Sequence, residues 1–297
     1  VALQRQAGPG APSRPPGAAG WLRRGARRWL EHLFPAPCTG CGGRLSGAPN
    51  PWFCAPCWEA LPVLADGAAV CARCGEPFAV PDPRLAKRRC GSCLRAAGHF
   101  DLARSLGPYD EPLAEAVRLL KYRHQTGLAR ALAERAATGG MEPELMAVDV
   151  VVPVPLHPRR LRARGYNQSG WLARHLAPAV GAPLDLTALV RAVWTVPQVG
   201  LTRPQRAANV KGAFRVTEPG RVAGRAVLLV DDVFTTGATA EACARALKDA
   251  GATRVHVWTV ARQGVEKAPE RPRNGDGAAP DGSPGRGDGK EALIGED

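Results

Sequence analysis

A chain of 297 residues, 45% of them apolar and with a formal net charge of +13, is long enough for one or two hydrophobic cores and has the composition of a folded protein. It has no run of about 18 apolar residues, which excludes a membrane-spanning helix, and its Arg-, Pro- and Gly-rich start lacks the continuous apolar stretch of a secretory signal. The positive charge suits DNA, RNA, anionic lipid or a polyphosphate substrate equally, and eight thiolates on two zinc ions would reduce it to about +9.

Residues 1–20 are rich in Pro, Gly and Ala and are predicted to be disordered. A short amphipathic helix is predicted over 21–37. Leu22, Ala26, Trp29, Leu30, Leu33 and Phe34 share one face at helical spacing, most arginines take the other, and Pro35 and Pro37 end the helix. Packing on the neighbouring module is the plain expectation for it; lying on a membrane surface is the alternative.

Residues 38–95 hold four CxxC pairs: Cys38/Cys41, Cys54/Cys57, Cys71/Cys74 and Cys90/Cys93. Each pair can clamp a metal from a knuckle turn, and two pairs complete a tetrahedral four-cysteine zinc site with no open position, hence structural. Gly42 and Gly75 follow two of the knuckles, and the similar gaps suggest a duplicated unit. The segment has too little apolar content to fold without such a staple. Disulfides lack an export signal to support them, and iron–sulfur clusters use other spacings. Sequential pairing (38/41/54/57 and 71/74/90/93) and an interleaved cross-brace both remain open. Cys243, the ninth cysteine, reads as a buried thiol.

Residues 99–262 are predicted to form an α/β domain with a parallel sheet flanked by helices. Helices are expected at 109–122, 126–137, 167–180 and about 236–250; strands at 147–155, 213–217, 226–231 and 255–260. Gly251 closes the last helix, and strand, helix, strand at this spacing is a parallel βαβ unit. The stretch 192–210 reads as polar and irregular, either a lid or a plain connection, with Gln198, Arg206 and Asn209 as its candidate contacts. The tail 264–297 is polar, Gly/Pro-rich and predicted disordered.

The chemistry concentrates where the apolar run AVLLV (226–230) ends on Asp231 and Asp232 and is followed by Val233, Phe234, Thr235, Thr236, Gly237, Ala238 and Thr239. Ligands of open parallel sheets sit beyond the carboxyl ends of strands. Backbone N–H groups at a helix start favour phosphate, a glycine permits close approach, and threonines add hydroxyl donors. Two carboxylates just before such a nest can hold vicinal ribose hydroxyls. A Walker B strand would need a GxxxxGK[ST] loop, and none occurs; no GxGxxG links a strand to a helix either. Arg159, Arg160, Arg162 and Arg164 form a basic cluster after the 147–155 strand, suited to phosphate oxygens, although Arg159 and Arg160 read equally well as solvated. Arg162, Arg164 and Asn167 are the pyrophosphate-side candidates, Arg164 and Asn167 because they flank Gly165-Tyr166.

The run Asp231 through Thr239 resembles the phosphoribosyl pyrophosphate (PRPP) signature of type I phosphoribosyltransferases. Together with Lys121-Tyr122, Val152 through Leu156, Arg162 through Gln168, Gln198 and Arg206 through Phe214, it makes residues 38–262 similar to the ComF family of competence-associated proteins. That resemblance implies a double zinc ribbon, with two structural Zn2+, ahead of a phosphoribosyltransferase-type domain. It implies that Asp231 and Asp232 contact the ribose hydroxyls, that residues 235–239 hold the 5′-phosphate, that the loop after 147–155 faces pyrophosphate, and that Mg2+ bridges pyrophosphate and ribose oxygens. Asp231, Asp232 and Arg164 are then the catalytic candidates.

Three functions follow as expectations. The first is transfer of phosphoribose to a nitrogen acceptor with release of pyrophosphate. The second is PRPP binding without turnover, in an accessory role in DNA uptake or processing. The third is a zinc-ribbon nucleic-acid-binding protein. DNA and DNA-uptake proteins are the expected macromolecular partners. The expected location is cytoplasmic, with a peripheral position at the inner membrane face as the alternative.

Overall fold

The computed structural model describes residues 37–45, 48–64, 68–80, 82–85, 87–95, 98–139, 141–195 and 202–264, the side chains of Pro83 and Arg203 excepted. The segment 1–20, the amphipathic helix expected over 21–37 (save Pro37, which bridges to Arg44), Gln198 and the tail beyond Gly264 lie outside them.

The centre of the molecule is a four-stranded parallel sheet. β5 (Ala226–Phe234) runs between β2 (Val150–Pro153) and β6 (Arg254–Arg262), and β1 (Leu102–Pro108) pairs with the far side of β6. Covered on both faces, β5 begins with five consecutive buried apolar residues, the composition a central parallel strand requires. Each fully buried Val or Leu there contributes about 1.5–3 kcal/mol relative to exposure.

One face carries α3 (Leu113–Tyr122), α4 (Leu128–Thr138) and α7 (Gln168–Val180), packed on Val151, Leu228, Val230 and Val260. The other carries α9 (Ala238–Asp249) and a two-stranded antiparallel sheet of β3 (Leu189–Arg191) and β4 (Phe214–Val216), packed on Val152, Val227, Leu229 and Val257. α8 (Arg203–Val210) lies against α9. Short helices complete the chain: α1 (Ala55–Glu59) and α2 (Gly91–Arg95) in the cysteine-rich segment, α5 (Pro143–Met146) and α6 (Pro158–Arg164) in the domain.

The cysteine-rich segment belongs to the same compact unit as the α/β domain. Cys38, Phe53 and Leu61 join the core of the first face, whereas Cys71, Cys74 and Cys93 join that of the second. Between them the segment covers the outer edge of β1, with Leu64 N–H donating to Leu106 O (2.8 Å) and Ala103 N–H to Arg73 O (2.7 Å). An otherwise open strand edge is thereby satisfied.

Several elements differ from expectation. The helix expected from 109 begins at Leu113, and the one expected from 126 begins at Leu128. β5 continues three residues past Asp231, because Val233 and Phe234 keep their register with Ala261 and Arg262, and Phe234 packs edge-on against Phe100. The helix after it therefore starts at Ala238 rather than near 236. The segment 192–210 is not irregular throughout: α8 forms behind a capping box in which Thr202 and Gln205 bond each other's backbone. The arginine cluster is helical too, with His157 as N-cap, Pro158 in the first turn and Gly165 closing the end at φ 82°.

Candidate functional site

Two four-cysteine clusters form, Cys38/Cys41/Cys54/Cys57 and Cys71/Cys74/Cys90/Cys93, the sulfurs of each lying within 4.8 Å of one another. The sequential pairing is the one adopted. None of the nine cysteines forms a disulfide. The Cys41–Cys54 and Cys74–Cys90 sulfurs are 3.8 and 3.6 Å apart, close to the edge of about 3.8 Å expected for a tetrahedron with metal–sulfur bonds of about 2.3 Å. Backbone N–H groups point at sulfur in both, from Cys54 to Cys38 (3.3 Å) and from Cys90 to Cys71 (3.2 Å). Burial pushes the Cys38 and Cys71 thiols up, but the donated N–H groups more than offset this and bring each down to about 6. The donor sets thus fit a metal held by thiolates. The knuckle turns match closely: Gly42 and Gly75 adopt φ 73° and 71°, and a Cβ on Gly75 would sit 2.7 Å from Ala103 O.

The second cluster is tied directly to the domain. Arg262, at the end of β6, donates to Cys74 O (2.6 Å) and to Glu76 (3.0 Å from Nε). Arg73, beside the same knuckle, donates to Phe100 O (3.0 Å) and pairs with Glu241 at 3.3 Å. Glu241 lies in the first turn of α9 and also accepts from the His99 backbone N–H (2.7 Å).

At the carboxyl end of the sheet, β5 delivers the two adjacent carboxylates to different helices. Asp231 Oδ1 accepts from Ser169 Oγ in α7 (2.8 Å) and from the Asp232 N–H (2.9 Å). Asp232, 5% exposed, pairs with Lys121 Nζ of α3 at 3.1 Å, while its Oδ2 is buried with no hydrogen-bond partner. Burial and the neighbouring Asp232 charge push Asp231 up to about 7. Burial alone would pull the Lys121 ammonium down, but Asp232 and Asp231 outweigh it and hold Lys121 above its ordinary value. Just beyond, Gly237 adopts φ 79°, and a Cβ there would lie 2.7 Å from the Phe234 ring, so only glycine fits this turn. α9 then starts with no side-chain cap from Gly237, the Ala238 N–H donating to Thr236 Oγ1 (3.4 Å), and Thr235 and Thr236 lie half-buried beside it.

From the end of β2, α6 and α7 follow. Arg164 is half-buried, held by Gln168 (2.6 Å) and stacked 5.3 Å over the Tyr122 ring. Asn167 caps α7, its Oδ1 accepting from the Ser169 N–H (3.1 Å) and its amide donating to Val154 O (3.0 Å). Its side chain is therefore engaged in building the turn that places Ser169. Arg162 is exposed.

Residues 29–94 match the double zinc ribbon domain family, and residues 167–275 the phosphoribosyl transferase domain family. The DNA utilization protein YhgH of Salmonella typhimurium is 34% identical over 238 residues, covering 77% of this chain and 97% of that protein. The chain belongs to the ComF/YhgH family. Competence protein F of Haemophilus influenzae, 29% identical, aligns with 78% of this chain along its whole length. Orotate phosphoribosyltransferase of Mycobacterium leprae is 43% identical over 61 residues, covering 20% of this chain and 34% of that enzyme. Among the described residues, no helix of this ComF-family chain is long and apolar enough to cross a membrane.

Within this ComF-family domain the structure brings Asp231, Asp232, Ser169 and Lys121 together beside the Thr235–Gly237 turn. Arg206 and Asn209, expected in a loop, lie on α8 instead. Sequence reading missed the part of Ser169, which carries no motif of its own and reaches Asp231 across 62 positions of chain. Lys121 stood only in a matching stretch; its contact with Asp232 needs α3 packed against the end of β5. Arg191, buried at the end of β3, left no signal because a three-residue strand is too short to read.

Proposed function

We propose that this ComF-family chain binds PRPP with Mg2+ at the carboxyl ends of β5 and β2 and transfers the phosphoribosyl group to a nitrogen acceptor, releasing pyrophosphate. The observation that supports it is the positioned pair Asp231/Asp232 leading into the Gly237 turn and the start of α9. The orphaned Oδ2 of Asp232 is an acceptor awaiting a hydroxyl or a metal-bound water. Asp231 and Asp232 hold the ribose hydroxyls, and Val233 and Phe234 carry the strand into the turn. Thr235, Thr236, Gly237, Ala238 and Thr239 take the 5′-phosphate at the helix start. Arg164, fixed by Gln168 and Tyr122, stabilises the departing pyrophosphate better than the exposed Arg162. The bond from C1 to pyrophosphate oxygen breaks as the bond to nitrogen forms, through a transition state that asks the protein mainly for positioning and charge. Mg2+ neutralises the phosphate oxygens when bound. Each four-cysteine cluster holds one structural Zn2+.

Calorimetric titration with PRPP and Mg2+ tests the reading. Saturable binding is expected, weakened in Thr236→Val by about 1–3 kcal/mol through loss of a phosphate donor. Pyrophosphate release with one member of a panel of nucleobases and amine donors makes the protein an enzyme. Release with none points to the accessory role. No heat up to millimolar PRPP would falsify the site.

A second reading, direct contact with DNA, is favoured by one surface. Trp194 is exposed, and Arg159 and Arg160 lie 5.8 and 5.9 Å from its ring centre. Exposed aromatics among arginines suit stacked bases of single strands. Binding to an oligonucleotide should fall steeply with salt and weaken in Trp194→Ala while surviving Asp231→Asn. Undetectable binding at low salt removes this reading.

A further inference from the structure

Beyond the end of β2 lies an open cavity of about 550 Å³, walled by Pro155, Leu156, Tyr166, Trp171, Leu189 and Val190. Arg191 lines it from the end of β3 and is only 9% exposed. Its guanidinium lies 5.4 Å from the centre of the Phe214 ring and donates from Nη2 to Thr195 Oγ1, while Nε is buried with no partner. Its polar partner among the described residues is thus a hydroxyl rather than a carboxylate, and the following stretch, Val196 to Leu201, contains no carboxylate in its sequence. Burial pulls Arg191 below its ordinary value, and Arg160 acts in the same direction, against the smaller opposing influences of Cys243 and Asp231.

A buried charge with no counter-ion costs stability, and such groups are normally paired. Here Arg191 borders a cavity whose walls are otherwise mostly apolar, and Arg174, exposed on α7, lines it as well. A planar fork of donors matches a carboxylate, and apolar walls take the body of a small molecule whose orientation a few polar groups fix. We propose that this cavity is the acceptor site of the transfer reaction and that it selects an acceptor bearing a carboxylate, which Arg191 binds. This rests on the phosphoribosyl reading above. A pyrophosphate role for Arg191 is the competing assignment, since both ligands are anions.

The test uses the full-length, metal-loaded protein and three acid/neutral pairs: orotate and uracil, anthranilate and aniline, nicotinate and nicotinamide. Each is titrated calorimetrically with and without PRPP and Mg2+. At least one acid should bind about tenfold or more tightly than its neutral partner, because a site built for a polar group rejects the analogue lacking it. Arg191→Met should abolish that preference while PRPP affinity stays within about twofold, and the ligand-free variant should melt no lower than wild type. Arg191→Lys should keep only part of the preference, and it carries the test if the methionine variant does not fold. Absence of acid preference in every pair overturns the proposal, as does a preference that survives Arg191→Met. Loss of PRPP affinity in that variant assigns Arg191 to pyrophosphate, and a lower melting temperature makes it a structural residue; either result overturns the acceptor role. PRPP failing to bind wild type sinks the phosphoribosyl reading instead, and the acid preference without PRPP is scored separately.

Discussion

Asp231 is under opposing influences. Burial and the charge of Asp232 favour its protonated form, while the Asp232 N–H, Ser169 and Lys121 favour the carboxylate; the balance leaves it up at about 7. An unfolded aspartate titrates near 3.9, so its contribution to stability is intact below about pH 4 and is lost as pH rises to about 7. Two outcomes follow. Asp231→Asn should raise the melting temperature at pH 8 and leave it unchanged near pH 4. PRPP affinity of the wild type should increase between pH 6 and pH 8 as the carboxylate forms, more than in Asp231→Asn, where only the ligand's own phosphates titrate. Thermal melts and calorimetry at the two pH values check both, and equal pH profiles would show that Asp231 does not ionise over this range. At the same scale, the glycine of the turn was legible in sequence as a place of close approach. The reason it admits no other residue, a Cβ 2.7 Å from Phe234, comes from a strand longer than its apolar run.

Among the elements, those buried on two faces were read with small errors. β5 opens on the run AVLLV and β6 carries Val255, Val257 and Val260, because a central parallel strand has no solvent face. α7 shows helical spacing because one side must meet the sheet. α6 and α8 were missed although both carry local start signals: Pro158 in the first turn of one, and the Thr202–Gln205 capping box of the other. Their arginines and polar side chains give no apolar stripe, so periodicity is silent. β1 was missed because its serine, arginine and glycine break the apolar pattern. The polar positions are absorbed by specific partners, Ser105 bonding Thr259 (2.7 Å) and Arg104 pairing with Glu142.

Across the whole molecule, the two cysteine clusters do more than cap the chain. They flank β1, contribute sulfurs to both cores, and through Arg73 and Glu241 brace the first turn of α9. Purified protein should therefore contain close to two zinc ions per chain. Stripping them should collapse the cooperative melt and weaken PRPP binding as well, because a bare segment of this composition cannot hold its fold. Metal analysis, melting curves and PRPP titration before and after chelation check this. Unchanged PRPP affinity in a stripped, folded protein would show that the brace does not matter to the site. By itself the sequence determined the four cysteine knuckles, the parallel α/β class and the Asp231–Thr239 run, since metal ligands, buried strands and phosphate turns each impose a local pattern on the chain. Only the tertiary structure decided the sequential cysteine pairing, the covering of β1 and the placing of Ser169 and Lys121 on the carboxylates. Each of these depends on how separate stretches of the chain pack, and a contact made by packing leaves no periodicity in either partner.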